Sequence, residues 1–297
     1  MQELMVGPYP ECDAATIQGA LDQLTPNNPA VVRIMPGVYH ERLKVYGAKV
    51  TLIGLGQVTI TAGAFARQLG ADGQELGTFR TATVYVNGED IHLANLTIEN
   101  TAGMGPQIGQ AMALFAEGQR LKFTNLRLLA KQDTLCLGPL PPLQKNHTPF
   151  VSVKRWREYA TQDYAFDQCT IAGTVDFIFG GGQAHFTNCH LRSLKRADGG
   201  VNYLTAASTP QGQSGFVFTD CVIDSQATQP YWLGRPWRSD AKTRYEHCWF
   251  GKGLMAPGWG DWENPANQQT VTYEEVDCQD EAAVPRADWI RVHKEED

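Results

Sequence analysis

A six-residue phrase recurs six times in this chain, and it restricts the fold more than any other feature of the sequence. Its grammar is an aromatic residue or Leu, any residue, a side-chain hydrogen-bonder, Leu or Cys, any residue, and a large apolar residue. The copies are Leu93–Ile98, Phe123–Leu128, Phe166–Ile171, Phe186–Leu191, Phe218–Ile223 and Tyr245–Phe250, with successive copies 20 to 43 residues apart. Fixed local grammar with variable spacing is the pattern of a β-solenoid, in which each coil repeats one bend and strand while loops of any length protrude between them.

The phrase reads as a bend followed by a strand. Its fourth residue (Leu96, Leu126, Cys169, Cys189, Cys221, Cys248) and its sixth lie two apart, hence on one strand face, and stacked coils would pile them into interior columns. The preceding Asn95, Asn125, Gln168, Asn188, Asp220 and His247 are expected to form a neighbouring ladder, hydrogen-bonding backbone groups of the bend. Four of the seven cysteines thereby become small buried hydrophobes rather than disulfide partners or metal ligands. Short β-rich runs at Ala30–Ile34, Val50–Ile53, Ala82–Val86 and Gly215–Phe218 add further strands. Asp13–Leu24 reads differently: Ile17, Ala20, Leu21 and Leu24 fall on one helical face, predicting an amphipathic helix that covers the open N-terminal end of the solenoid.

Composition narrows the partners. A net charge of −7, with short and scattered Lys-Arg stretches, argues against a nucleic-acid surface. It also argues against a tight hold on a densely anionic polymer. No apolar run approaches the roughly 20 residues needed to cross a bilayer. Met1-Gln2-Glu3-Leu4 lacks the basic start and apolar stretch of a signal peptide, so cytoplasmic residence is expected, with secretion after removal of a signal as the alternative. No linker divides the chain, and one domain over residues 1–297 and a monomeric state are expected.

The chemistry concentrates in polar residues set within apolar runs: Gln110 in QAMAL, Gln132 and Asp133 in QDTL, Asp176 in GTVDFIFG, and Arg235 in LGRPW. An aspartate flanked by Val, Phe, Ile and Phe carries a desolvation cost unless it is paired, protonated or facing a cleft. Each residue alone also fits a structural role: a buried Asp that satisfies a bend or an Arg, or a Gln that is one more ladder residue. Coils of a single solenoid can bring all five onto one surface. No G-x-S-x-G, H-E-x-x-H or P-loop motif is present, and no metal-type C-x-x-C spacing.

Together these runs resemble the pectin methylesterase family over nearly the whole chain, from Ala15–Ala20 and Pro36–Glu41 to Ala256–Trp259. GTVDFIFG and LGRPW, in that order, carry most of the likeness; Gly138–Pro142 and Tyr203–Thr209 look especially like bacterial members. The resemblance implies an all-β, right-handed parallel β-helix with a short N-terminal capping helix. It implies Asp176 as nucleophile, Asp133 as acid/base, Gln110 and Gln132 as oxyanion donors, and Arg235 as the residue orienting Asp176. Phe79, Trp237 and Trp259 match aromatic positions near the sugar cleft. The implied substrate is methylated homogalacturonan or its oligogalacturonides, with no cofactor and no metal. Two rivals stay open on residues alone: a polysaccharide glycosidase or lyase using the two carboxylates, and a carbohydrate-binding solenoid without turnover.

Overall fold

In a computed structural model that describes residues 1–25 and 27–294, the chain coils into three parallel sheets of eleven, seven and nine strands. Successive coils add their strands to these sheets in turn, so that strands adjacent in space come from successive turns of the chain, and the architecture is a right-handed parallel β-helix. Of the expected strands, Ala30–Ile34 forms over that range. The others form with shifted ends, as Val50–Gly54, Val84–Glu89 and Phe216–Thr219.

The phrase sets the register. Phe123 pairs with Phe166, Phe166 with Phe186, Phe186 with Phe218 and Phe218 with Tyr245. Their rings stack at centroid distances of 4.4 to 4.7 Å along the interior. Beside this aromatic column runs the column of fourth positions, all buried, in which Cys169, Cys189, Cys221 and Cys248 follow Leu96 and Leu126. Each of these thiols points at a carbonyl of the preceding coil, as Cys221 Sγ does to Phe186 at 3.4 Å. A third column holds the sixth positions from Ile98 to Phe250, also buried. Removing one ring from a column of this kind costs about 3–5 kcal/mol.

The ladder residues behave differently from the expectation. All six are exposed, and all six take a left-handed backbone, with φ between 50° and 57°. Asn, Asp and His tolerate that conformation better than other non-glycine residues, so the bend selects them for backbone shape. Lateral bonding within the column includes Asn125 Nδ2 donating to Asn95 Oδ1 at 2.9 Å.

The N-terminal helix is shorter than its periodicity predicts, covering Ile17–Leu21 rather than Asp13–Leu24. Asp13 spends its carboxylate on the Met5 N–H at 2.7 Å, ahead of the helix, and Asp22 and Gln23 continue only as a turn before Leu24 leaves regular structure. Thr16 caps the start through the Gly19 N–H. The Glu41 carboxylate takes the free N–H groups of Ile17 and Gln18, both at 2.9 Å. Ile17, Ala20 and Leu21 reach the core beside the first strand, Gln2–Val6. Among the described residues no helix is long and apolar enough to cross a membrane.

Candidate functional site

The seven-stranded sheet delivers the polar residues to one edge. Gln110 precedes the strand Leu114–Gln119, Gln132 and Asp133 precede Leu135–Leu137, and Asp176 precedes Ile178–Gly180. Leu135 pairs with Ile178, and the Asp133 N–H donates to the Val175 carbonyl at 3.0 Å. Counting back two residues from that pair puts Asp133 and Asp176 in register on neighbouring coils, at a strand spacing of about 4.8 Å. Both aspartates are left-handed, with φ of 64° and 51°. That bend removes the conflict posed by strict alternation, which would have sent Gln132 and Asp133 to opposite faces. Two glycines of GTVDFIFG make the close approach feasible: a Cβ on Gly173 would lie 2.5 Å from Thr134 Oγ1, and one on Gly180 only 2.0 Å from the Leu137 carbonyl oxygen.

Arg235 follows the strand Tyr231–Gly234, and its N–H is held by the Thr205 carbonyl at 3.0 Å. Its Nε and Nη2 donate to the two carboxylate oxygens of Asp176 at 2.8 and 2.7 Å, a bidentate pair. The guanidinium lies over the rings of Tyr203 and Trp262, 3.9 Å from each centroid, which fixes its plane. Asp176 therefore has little rotational freedom.

The two carboxylates sit in unequal fields. Burial drives the Asp133 carboxyl well above the ordinary carboxylate range, and the neighbouring charge of Asp176 pushes it further. Arg235 and the Gln132 amide pull it back. Burial also raises Asp176, but there the hydrogen bonds and charge of Arg235, and the charge of Lys145, oppose it directly. The same cation holds one carboxylate by two hydrogen bonds and reaches the other only through space. The arrangement favours one proton on the pair, carried by Asp133.

A cleft of about 380 Å³ opens over these groups. Its lining includes Gln110, Gln132, Asp133, Asp176 and Arg235, so the five residues singled out in sequence do converge. Phe79 and Trp237 also line it, their rings 6.4 Å apart and nearly parallel. Trp259 does not. It is 1% exposed, stacked on Tyr273 at 4.2 Å, with its indole N–H bonded to Glu275 at 2.8 Å. The expectation that it meets a sugar is corrected: the Gly258–Gly260 segment turns this ring inward and leaves Trp262, three residues on, facing the cleft. Lining residues that the sequence did not reveal include Trp262, Phe150, Phe179, Gln144 and Lys145, with Thr78, Ala206 and Arg238 beside them. The signal for three of them was the long interval between the second and third phrase copies, which leaves chain free to fold over the site. Among the described residues no group of three or more His, Cys, Asp or Glu side chains is placed to hold a metal ion.

Comparison with known proteins came to the same place. A family model described as pectinesterase matches residues 3–138 and 158–296. Pectinesterase QRT1 of Arabidopsis thaliana is 32% identical over 281 residues, covering 91% of this chain and 67% of its own. Pectin methylesterase from carrot superposes with a TM-score of 0.81 at 26% identity, covering 98% of this chain and 88% of its own. A pectin methylesterase in complex with a hexasaccharide superposes at 0.80, also 26% identical, covering 98% and 93%.

Proposed function

Because this chain belongs to the pectinesterase family, we propose that its cleft hydrolyses methyl esters of galacturonate in pectin or its oligosaccharides through Asp176 and Asp133. One observation carries the assignment of roles: two buried aspartates in register, of which Arg235 grips only one. A metal-independent ester hydrolysis needs a charged nucleophile, an acid for the leaving alcohol and donors for the oxyanion. Unequal partners give the two identical side chains those different tasks.

In the proposed sequence an Asp176 oxygen attacks the ester carbonyl carbon, and the carbonyl oxygen becomes an oxyanion facing the Gln110 and Gln132 amide N–H groups. Collapse breaks the carbon–methoxy bond while Asp133 gives its proton to the methoxy oxygen, and methanol leaves. The galacturonyl group is then joined to Asp176 as an anhydride. Ionised Asp133 takes a proton from water as that water attacks the same carbonyl carbon, the bond to Asp176 breaks, and both aspartates return to their starting states. Arg235 holds Asp176 through both steps. Phe79, Trp237 and Trp262 offer faces to the sugar rings.

The hexasaccharide bound by a superposable relative supports a saccharide in this cleft. Gly138–Pro142 and Tyr203–Thr209 support placing the chain among bacterial-type members. A glycosidase would leave Gln110, Gln132 and the Arg235 clamp without a task. The test is to incubate the protein with methylated pectin and with methylated oligogalacturonides, measuring methanol and new reducing ends in each. Methanol without reducing ends is expected. Reducing ends without methanol would replace this reading with a glycosidase.

A further inference from the structure

Residues 139–157 lie between the two stretches that match the family model, and they form a strap with no helix or strand. It is anchored from below: Arg155 donates to the fully buried Glu117 at 2.8–2.9 Å, and buried Asn87 accepts from the Trp156 and Arg157 N–H groups at 2.6 and 2.9 Å. The Tyr46 hydroxyl donates to the Lys154 carbonyl at 2.8 Å, and the Phe150 ring packs edge-on against Phe79 at 5.1 Å. Phe79 and Phe150 line the cleft, but their chain neighbours Leu76, Arg80 and residues 152–154 line a second cavity of about 360 Å³. Its floor comes from Leu43, Lys44 and Tyr85, on the strands Leu43–Ala48 and Val84–Glu89 of the seven-stranded sheet. These strands lie two and three steps along the sheet from the one that follows Asp133, or roughly 10–14 Å at a strand spacing of about 4.8 Å.

Four cations line this cavity, Arg42, Lys44, Arg80 and Lys154, and no carboxylate does. The two guanidiniums are held rigidly by backbone carbonyls. Arg42 donates through Nε to Ala82 at 3.3 Å and through Nη2 to Arg80, while Arg80 donates through Nε to Leu76 at 2.6 Å and through Nη2 to Glu75 at 2.7 Å. Nη1 of each is left to spend. Among the described residues none of the four cations forms an ion pair, although other surface cations, such as Arg120 and Arg244, have acidic partners. Between them the Ser152 hydroxyl oxygen is closed to solvent and has no hydrogen-bond partner in the protein. Four like charges gathered beside an unspent hydroxyl, in a chain of net charge −7, repel one another unless an anion joins them.

We propose that this cavity is a second binding site, separate from the catalytic cleft, for an anion that carries two or more carboxylates. Fixed guanidiniums offer paired N–H groups to one carboxylate, and two lysines on flexible stems reach the next. Two sources share that chemistry: a de-esterified stretch of galacturonan, and a small free polycarboxylate. The site does not depend on the esterase reading, because binding rather than turnover defines it.

The test is calorimetric titration of the wild-type chain and of the double variant Lys44→Gln/Lys154→Gln, with methyl-free trigalacturonate and with citrate as probes. Both lysines are exposed, so the variant should keep the circular dichroism of the wild type. A second double variant, Lys122→Gln/Lys195→Gln, removes the same charge from exposed positions elsewhere. The wild type is expected to show a site that weakens about tenfold or more in the first variant, as for lost charged contacts, and is unchanged in the second. Added salt should narrow the difference. Ser152→Ala should weaken the same site severalfold with no change of charge. A variant-sensitive site for trigalacturonate alone assigns the galacturonan; one for citrate assigns a small free polycarboxylate. No variant-sensitive site for either probe, or equal weakening in both double variants, overturns the proposal. Methanol release from methylated trigalacturonate should be the same in wild type and in Lys44→Gln/Lys154→Gln, and a wild type without turnover would sink the esterase reading while leaving the binding result to stand.

Discussion

Two corners of this solenoid use the same backbone conformation for opposite ends. At one, Asn95, Asn125, Gln168, Asn188, Asp220 and His247 turn the chain with a positive φ, and their side chains are exposed. At the other, Asp133 and Asp176 turn it with a positive φ, and each residue is 8% exposed. Left-handed geometry is therefore not the functional signal here. The side chains of the first corner lie open to solvent and to one another, as Asn125 does to Asn95, whereas at the second the carboxylates are shielded and depend on each other, Arg235, Lys145 and nearby amides. Desolvation with unequal partners turns a repeated structural device into a reactive pair.

The comparison breaks most visibly at Asp176. Asp176→Asn leaves Arg235 without its carboxylate and removes the nucleophile, so methanol release should fall by about 10⁴-fold or more while circular dichroism stays that of a β-solenoid. Turnover within tenfold of wild type would mean the second corner is as structural as the first.

Asp133→Asn should cost roughly 10²–10⁴ in kcat, the usual range for a positioned acid/base. Its effect on stability should run the other way. The Asp133 carboxyl titrates higher in the folded chain than in the unfolded one, so its contribution to stability is complete below the unfolded value and is lost as pH rises through the folded one. Denaturation across pH should show Asp133→Asn gaining on the wild type as pH rises from acid to neutral. A wild type that gains instead would show that Asp133 is ionised in the fold.

Gln110→Ala and Gln132→Ala should each lower kcat by about 10²–10³, the cost of one oxyanion donor. An effect confined to KM would make them sugar contacts. The smallest change is expected at the first corner: Asp220→Asn keeps the bend and the solvent contact, so stability should move by less than about 0.5 kcal/mol in a denaturant melt, with turnover unchanged.

The sequence revealed the stacked interior beside the first corner almost completely, because a two-residue period maps directly onto a strand face and the aromatic, Cys and aliphatic positions had only one way to stack; the left-handed backbone of the ladder residues themselves was not legible. It revealed the second corner as a set of residues but not as a geometry. Nothing local forces Asp133 into a left-handed bend, so the alternation rule and the QDTL motif were in conflict until its φ was known. Trp259 and Trp262 sit in one Gly-Asp-rich loop, and which ring turns inward is decided by Tyr273 and Glu275 packed beneath. Lys145 and Phe150 were invisible for a related reason: the Glu117–Arg155 pair that places their strap joins residues far apart in sequence, where no periodicity operates. A chain of net charge −7 nevertheless carries three cations around its cleft, Lys145 from the strap and Arg235 and Arg238 from the segment around LGRPW.

The account stands on one buried aspartate being protonated at neutral pH while its neighbour is ionised. Infrared difference spectroscopy reads this directly, by comparing the carbonyl stretch of a protonated carboxylic acid in the wild type, Asp133→Asn and Asp176→Asn. A band present in the wild type at neutral pH and missing from Asp133→Asn is the predicted result. No such band, or one that disappears in Asp176→Asn but survives in Asp133→Asn, would contradict the assignment of acid and nucleophile.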